Sequence, residues 1–263
     1  MSYFAKTAHA QAILCNDKFT SMAREMKEES TLGPHFKIVP SDKFCMTPII
    51  DPSSFTFHSG RILDQNKPAF VVFTSGSTGP PKGAAFRRYN VYLATMGVIR
   101  KNGISPGFKT VQLLPTHHAT GLMVNTMPTI LGGGCVEFNQ GDFNPASVWH
   151  RFRKGDITSF SAVPTMFILL LKYWENVLSK LGPEERESYQ TAISSIREFH
   201  CATSALPRDI SRRWAEMTRG VPILERYGGT EFGSVYATFP NTTVPRVRTT
   251  RPKGTAWSNP VSC

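Results

Sequence analysis

Phe70-Val71-Val72-Phe73-Thr74-Ser75-Gly76-Ser77-Thr78-Gly79-Pro80-Pro81-Lys82-Gly83 is an apolar run that passes directly into ten small, hydroxylated or turn-forming residues ending in a lysine and a glycine. A short apolar run halted by such a loop reads as a buried strand. Within the loop, Gly76, Gly79 and Gly83 allow positive φ, so successive backbone N–H groups can face one anion. Thr74, Ser75, Ser77 and Thr78 add four uncharged donors, and Lys82 adds a cation. A charge-assisted hydrogen bond is roughly twice as strong as a neutral one, which suits the set to a triphosphate. Pro80 and Pro81 stiffen the approach to the lysine. The Walker spacing is not met, because Lys82 follows a proline and precedes a glycine. A plain Gly/Ser surface loop is the competing reading.

On either side of this loop, strand-like and helix-like segments alternate. Residues 12–14, 111–114, 135–138, 158–162, 198–201 and 222–224 read as strands. Helical spacing is carried by residues 19–29, 90–100, 120–131, 146–153, 165–179, 184–194 and 207–218. Their ends are marked by Asn102-Gly103, by Gly132 to Gly134 and by first-turn prolines such as Pro164. Alternation of this kind predicts an α/β fold, with mostly parallel sheets flanked by helices and right-handed crossovers. Ligands of such sheets bind beyond the carboxyl ends of the strands. Arg248 to Cys263 is polar and aperiodic, and is expected to be an unpacked tail.

Composition narrows the function classes. With 263 residues, 40% apolar and 19% charged, the chain is expected to be globular with a sizeable core. A bilayer span needs about 20 apolar residues, and the longest apolar stretch, 163–171, is broken by Pro164 and Thr165. Met1 to Lys6 lacks the basic-then-apolar pattern of a secretory signal, so a cytoplasmic location is expected. Five cysteines without a Cys-x-x-Cys pair argue against a disulfide framework or a structural zinc site. The net charge of +11 fits a polyanionic small ligand. A nucleic-acid partner is not expected, because the basic residues are dispersed apart from Arg246, Arg248, Arg251 and Lys253.

The phosphate loop resembles that of the adenylate-forming superfamily of acyl-CoA synthetases, luciferases and peptide-synthetase adenylation domains, Thr-Ser-Gly-Ser/Thr-Thr-Gly-x-Pro-Lys-Gly. Three further stretches are similar to that family. In Leu114 to Gly121, His118 matches the histidine of Pro-x-x-His-x-x-Gly, which the resemblance places near the acyl pocket; alone, a solvated or core histidine is the competing reading. Ala202-Thr203-Ser204-Ala205-Leu206-Pro207 matches the stretch beside the adenine, with Ala202 where the family has glycine. Tyr227-Gly228-Gly229-Thr230-Glu231 matches Tyr-Gly-x-Thr-Glu. There Glu231 suits Mg²⁺, Thr230 can meet the phosphates and Tyr227 offers an aromatic face to the adenine. A glycine turn with an exposed glutamate is the competing reading.

The resemblance therefore implies an enzyme that joins a carboxylate to ATP with Mg²⁺, releases pyrophosphate and passes the acyl group to CoA. It implies roles in catalysis for Lys82, Thr230 and Glu231. It implies ATP contacts for Thr74 to Lys82, Thr203, Ser204, Tyr227, Gly228 and Thr230. Within the superfamily, residues 113–121, 162–165 and 224–228 look most like malonyl-CoA synthetase-like enzymes. Arg197 then falls where an arginine could pair with a second substrate carboxylate, although a monocarboxylate remains open. Residues 1–247 are expected to be part of the large amino-terminal domain of this fold, with the small carboxy-terminal domain and its lysine missing. The chain is then expected to be impaired as an acyl-CoA ligase and to associate through exposed apolar surface. A non-catalytic nucleotide-binding or interaction module is the alternative.

Overall fold

The computed structural model describes residues 2–29, 35–41, 63–75, 79–139, 141–238 and 255–256. The chain divides into two compact units, Met1–Arg88 and Tyr89–Cys263. In the first unit, α1 (Ser2–Thr7) and β1 (Ala12–Cys15) lead through a 3₁₀ turn to α2 (Thr20–Glu29) and β2 (Lys37–Pro40). β1 and β2 pair in parallel, and α2 buries Ala23 and Met26, three residues apart on one helical face. β3 (Pro68–Thr74) and β4 (Lys82–Arg87) form an antiparallel hairpin flanking the loop at residues 75–81. The loop was expected to lead into a helix; β4 intervenes before α3 (Arg88–Asn102). Gly83, Ala84 and Ala85 have little strand preference of their own, so pairing with β3 decides this segment.

The second unit is built on a seven-stranded sheet. After α3 come β5 (Lys109–Gln112), a π-helical stretch (Thr120–Thr126) continuing into α4 (Met127–Leu131), β6 (Cys135–Phe138) and α5 (Pro145–Phe152). There follow β7 (Ser159–Ala162), α6 (Pro164–Asn176), α7 (Pro183–Ser194), β8 (Glu198–Cys201) and α8 (Arg208–Met217). β9 (Ile223–Gly229), β10 (Gly233–Ala237) and β11 (Thr255–Ala256) complete the order β11-β10-β9-β8-β7-β5-β6. Pairings from β6 to β9 are parallel, while β9–β10 and β10–β11 are antiparallel. The α/β expectation holds, with an antiparallel margin that strand-helix alternation did not reveal. The two residues of β11 lie within the stretch expected to be an unpacked tail; the rest of residues 248–263 falls outside the described residues.

Local chemistry explains the helix starts. Asn144 caps α5, its Oδ1 accepting from Ser147 N at 3.2 Å. Pro145, Pro164 and Pro183 stand in the first turns of α5, α6 and α7, where a missing N–H costs nothing. Glu184 and Glu185 set negative charge at the amino end of α7.

Side chains alternate across the strands, and the two faces of the sheet differ. Val111, Phe160, Ala162, Phe199, Cys201 and Ile223 join one apolar core with residues of α5, α6, α7 and α8. In it the rings of Phe160, Phe167, Phe199 and Trp214 meet edge to face, with centroids 5.0–6.5 Å apart. Thr110, Gln112, Ser159, Ser161 and His200 are buried on the opposite face. There Thr110 Oγ1 donates to Asn125 Oδ1 at 3.4 Å, and Asn125 Nδ2 donates to Gln112 Oε1. No helix among the described residues is long and apolar enough to cross a membrane.

Candidate functional site

In the second unit, two of the segments singled out by sequence follow the carboxyl ends of β5 and β8, and the third runs from the end of β9 into the turn before β10. β5 leads to the turn that carries His118. The buried Gln112 shapes it, because its Nε2 donates to Leu114 O at 2.6 Å and to Gly121 O at 3.4 Å. A Cβ at Gly121 would lie 2.2 Å from Pro115 O, so this close backbone approach excludes every other residue. His118 is exposed, with its ring 5.7 Å from that of His117.

β8 leads to Ala202 to Pro207. Thr203 has φ +79, a left-handed conformation that is uncommon for a β-branched residue. Ala202, which stands where the resemblance has glycine, is half-buried and has no positive φ. The unusual backbone falls one residue later, and both Thr203 and Ser204 are exposed.

β9 continues past its register with β8 to Tyr227, Gly228 and Gly229, then turns through Thr230, Glu231 and Phe232 into β10. The turn closes with Gly233 at φ +73. A Cβ at Gly228 would come within 2.4 Å of Gly233 O, so the first glycine of the Tyr-Gly-x-Thr-Glu pattern is here required by the neighbouring strand. Glu231 is exposed at the tip and Thr230 is half-buried. The hairpin margin, rather than a loop following a parallel strand, presents these groups.

In the first unit, Thr74 and Lys82 face one another across the β3–β4 ladder, and Thr74 Oγ1 donates to Lys82 O at 3.5 Å. Tyr3 of α1 ties down the loop by donating from its hydroxyl to Pro81 O at 2.9 Å, while Phe4 packs on Phe73. Ser75, Gly79, Pro80 and Lys82 are exposed, and Gly79 has φ +147. Gly76, Ser77 and Thr78 lie outside the described residues.

Arg197 is not brought to the His118 turn. It precedes β8 and therefore sits at the amino end of the parallel sheet, opposite to the end that carries the turns. Its guanidinium donates to Asn102 O at the end of α3 and lies 5.4 Å from the Phe108 ring. A four-residue strand spans roughly 13 Å, which separates this side chain from the acyl side to which the resemblance assigned it.

Sequence reading also missed a charged cluster on the polar face beneath β8 and β9. His200, only 3% exposed, has Nε2 3.1 Å from both Glu198 Oε2 and Arg226 Nη2. Arg226 Nη2 further donates to Asn102 Oδ1 at 3.3 Å. Burial, reinforced by Arg226, pushes His200 down to about 3, so the ring is neutral. Burial also brings Arg226 down to about 10 and Lys101 to about 8. For Glu198, burial acts to raise the pKa, but His200, Arg197 and Arg226 together lower it. Polar residues alternating with apolar ones in Glu198-Phe199-His200-Cys201 signal a strand with two unlike faces, the polar one ordinarily left in solvent, so the spacing did not disclose that this face is buried.

A model of the family described as AMP-binding enzyme matches residues 1–260. The chain belongs to that family. Among relatives, a probable CoA ligase of Humulus lupulus is 31% identical over 185 residues, covering 66% of this chain and 29% of that protein. A mitochondrial malonate–CoA ligase of Xenopus laevis is 34% identical over 174 residues, covering 64% of this chain and 29% of the relative. The chain thus spans under a third of the length of these relatives. An ATP-bound MatB structure from Rhodopseudomonas palustris superposes with a TM-score of 0.70 at 21% identity, over 91% of this chain and 44% of the other. A malonyl-CoA ligase bound to methylmalonyl-CoA and AMP gives 0.69 at 22% identity, over 91% and 46%. At these identities the structures support the fold of this AMP-binding chain.

Proposed function

We propose that this chain belongs to the nucleotide-gripping part of an ATP-dependent ligase that activates a small carboxylic acid and transfers it to CoA. The observation that carries the reading is the β9–β10 hairpin, which presents Tyr227, Thr230 and Glu231 together at one margin of the sheet. A carboxylate oxygen attacks the α-phosphorus of ATP, pyrophosphate leaves, and an acyl-adenylate forms. The thiolate of CoA then attacks the acyl carbon and AMP departs with the electron pair of the broken C–O bond.

The residues have separate tasks. Backbone N–H groups and hydroxyls of residues 74–79, with Lys82, hold phosphate oxygens. Tyr227 lies against the adenine, with Thr203, Ser204 and Gly228 bordering the base, while Thr230 donates to phosphate. His118 lines the acyl side. A Mg²⁺ ion usually takes one or two protein carboxylates together with substrate phosphates. One exposed carboxylate at Glu231 fits that donor set. Among the described residues no group of three or more His, Cys, Asp or Glu offers an all-protein metal cage. Bound there, the ion would neutralise phosphate charge. Arg197, at the opposite end of the sheet, supplies no partner for a second substrate carboxylate, so the class proposed is carboxylic acids in general.

Calorimetric titration with MgATP tests the grip. Lys82→Ala is expected to weaken binding about 10–100-fold, the effect of losing a charged hydrogen-bond donor. Glu231→Gln should remove the Mg²⁺ dependence of that binding. Unchanged affinity in both variants would sink the assignment. Carboxylate-dependent exchange of labelled pyrophosphate into ATP then separates the ligase from a nucleotide-binding module, which would bind ATP without exchange.

A further inference from the structure

Phe232 is the one residue of the β9–β10 turn that neither the motif nor the proposed chemistry explains. It is 54% exposed, directly follows Glu231 and contributes nothing to the buried core. Its ring is nevertheless held in place. A Cβ built at Gly229 would lie 2.6 and 2.7 Å from two of its ring carbons, so the ring rests directly on the Gly229 backbone. Tyr227, 52% exposed, has its ring centroid 6.3 Å away at an interplanar angle of 36°. Tyr236 adds a third ring, 6.3 Å from Tyr227 on the other strand. The hairpin therefore offers two neighbouring, half-open aromatic rings, which flank Gly228-Gly229-Thr230-Glu231 in the chain and lie beside one another in space.

We propose that Phe232 is a second aromatic contact for the purine ring, acting beside Tyr227 to hold the base of the nucleotide. The proposal rests on the ATP reading above and deepens it. A purine has two extended π faces and few atoms that need water over them, so it gains from each ring it covers. Phosphate, ribose and a small acyl chain offer no such face. Gly229 is part of the device, because any larger residue would evict the Phe232 ring from its seat on the backbone. The turn thus joins a ring for the base to the carboxylate and hydroxyl assigned to the phosphates and their cation.

The test compares MgATP with Mg-tripolyphosphate, which has the charge without the base, by calorimetry on the full chain. For the wild type, ATP should bind more tightly than tripolyphosphate. Phe232→Leu should lose about tenfold in ATP affinity, with tripolyphosphate unchanged, and Phe232→Tyr should retain wild-type ATP affinity. On the wild-type protein, intermolecular NOEs should connect adenine H2 or H8 with the Phe232 ring, whether or not the leucine variant folds. Wild-type ATP affinity in Phe232→Leu, an equal loss for both ligands, or NOEs to Tyr227 alone would overturn the role of Phe232 and leave the phosphate grip standing. Failure of the wild type to bind either ligand would instead remove the ATP reading itself.

Discussion

The two faces of the seven-stranded sheet come from the same strands but are held by different physics. On one face, Val111, Phe160, Phe199 and Ile223 pack against aromatic and aliphatic side chains of the helices. Their contribution follows the apolar area removed from water and is indifferent to orientation. On the other, Thr110, Gln112, Asn125 and His200 are buried too, yet every contact depends on which atom donates and which accepts. That directional face reaches the candidate site. Gln112 sets the His118 turn, and Arg226 anchors the strand one residue before Tyr227. The apolar face holds the sheet together, while the polar face orients what emerges from it.

The sharpest way to break this contrast is to empty the apolar side. Phe199→Ala should lower the unfolding free energy by about 3–5 kcal/mol, with an unchanged urea m-value; a loss near 1 kcal/mol would mean the aromatic cluster relaxes into the gap. On the polar side, Asn125→Ala leaves the Thr110 hydroxyl and Gln112 Oε1 without their partner. A loss of about 1–3 kcal/mol is expected, and a neutral outcome would show that pairing does not hold this face.

A third test uses pH. The unfolded chain protonates His200 near its ordinary value of 6.5, whereas the folded chain resists protonation down to about 3. Between those values the unfolded state binds the extra proton, so stability is full above about 6.5 and falls as the solution is acidified. The slope from this group reaches at most about 1.4 kcal/mol per pH unit. Thermal melts from pH 7 to 4.5 should show His200→Gln flattening this slope, and an identical pH profile would refute a buried neutral ring. The smallest effect belongs to neither face: Arg212→Ala breaks exposed pairs with Asp209 and Glu216 and should leave the melting temperature unchanged within error.

Legibility in the sequence followed locality. Residues 135–138 and 198–201 were bounded correctly because a short apolar or alternating run gives way in each case to small or polar loop residues, and Gly134 marks the start of the first. Helices α5, α6 and α7 announced themselves through first-turn prolines. β4 and β10 did not, since Lys82-Gly83-Ala84-Ala85 and Gly233-Ser234 carry weak strand preference and become strands only by pairing with β3 and β9. In the candidate site, the turns bearing His118 and Glu231 could be read from contiguous motifs. Arg197 was assigned from resemblance alone, although its place directly before the strand at 198–201 already put it at the amino end. His200 and Arg226 went unnoticed because 26 positions separate them and only the β8–β9 ladder makes them neighbours.

The π-helical stretch Thr120–Thr126 has a consequence for how the His118 turn is aimed. Met127 N donates to Leu122 O, five residues back, so this coil carries one more residue than an α-helical turn needs. Each residue of an α-helix rotates the chain by about 100°, and the surplus one sets the angular phase between Asn125, locked to the sheet, and the turn before it. Deleting a single residue here would let the coil relax to ordinary α geometry while swinging His118 away from its present bearing, so chain length itself acts as the aiming device.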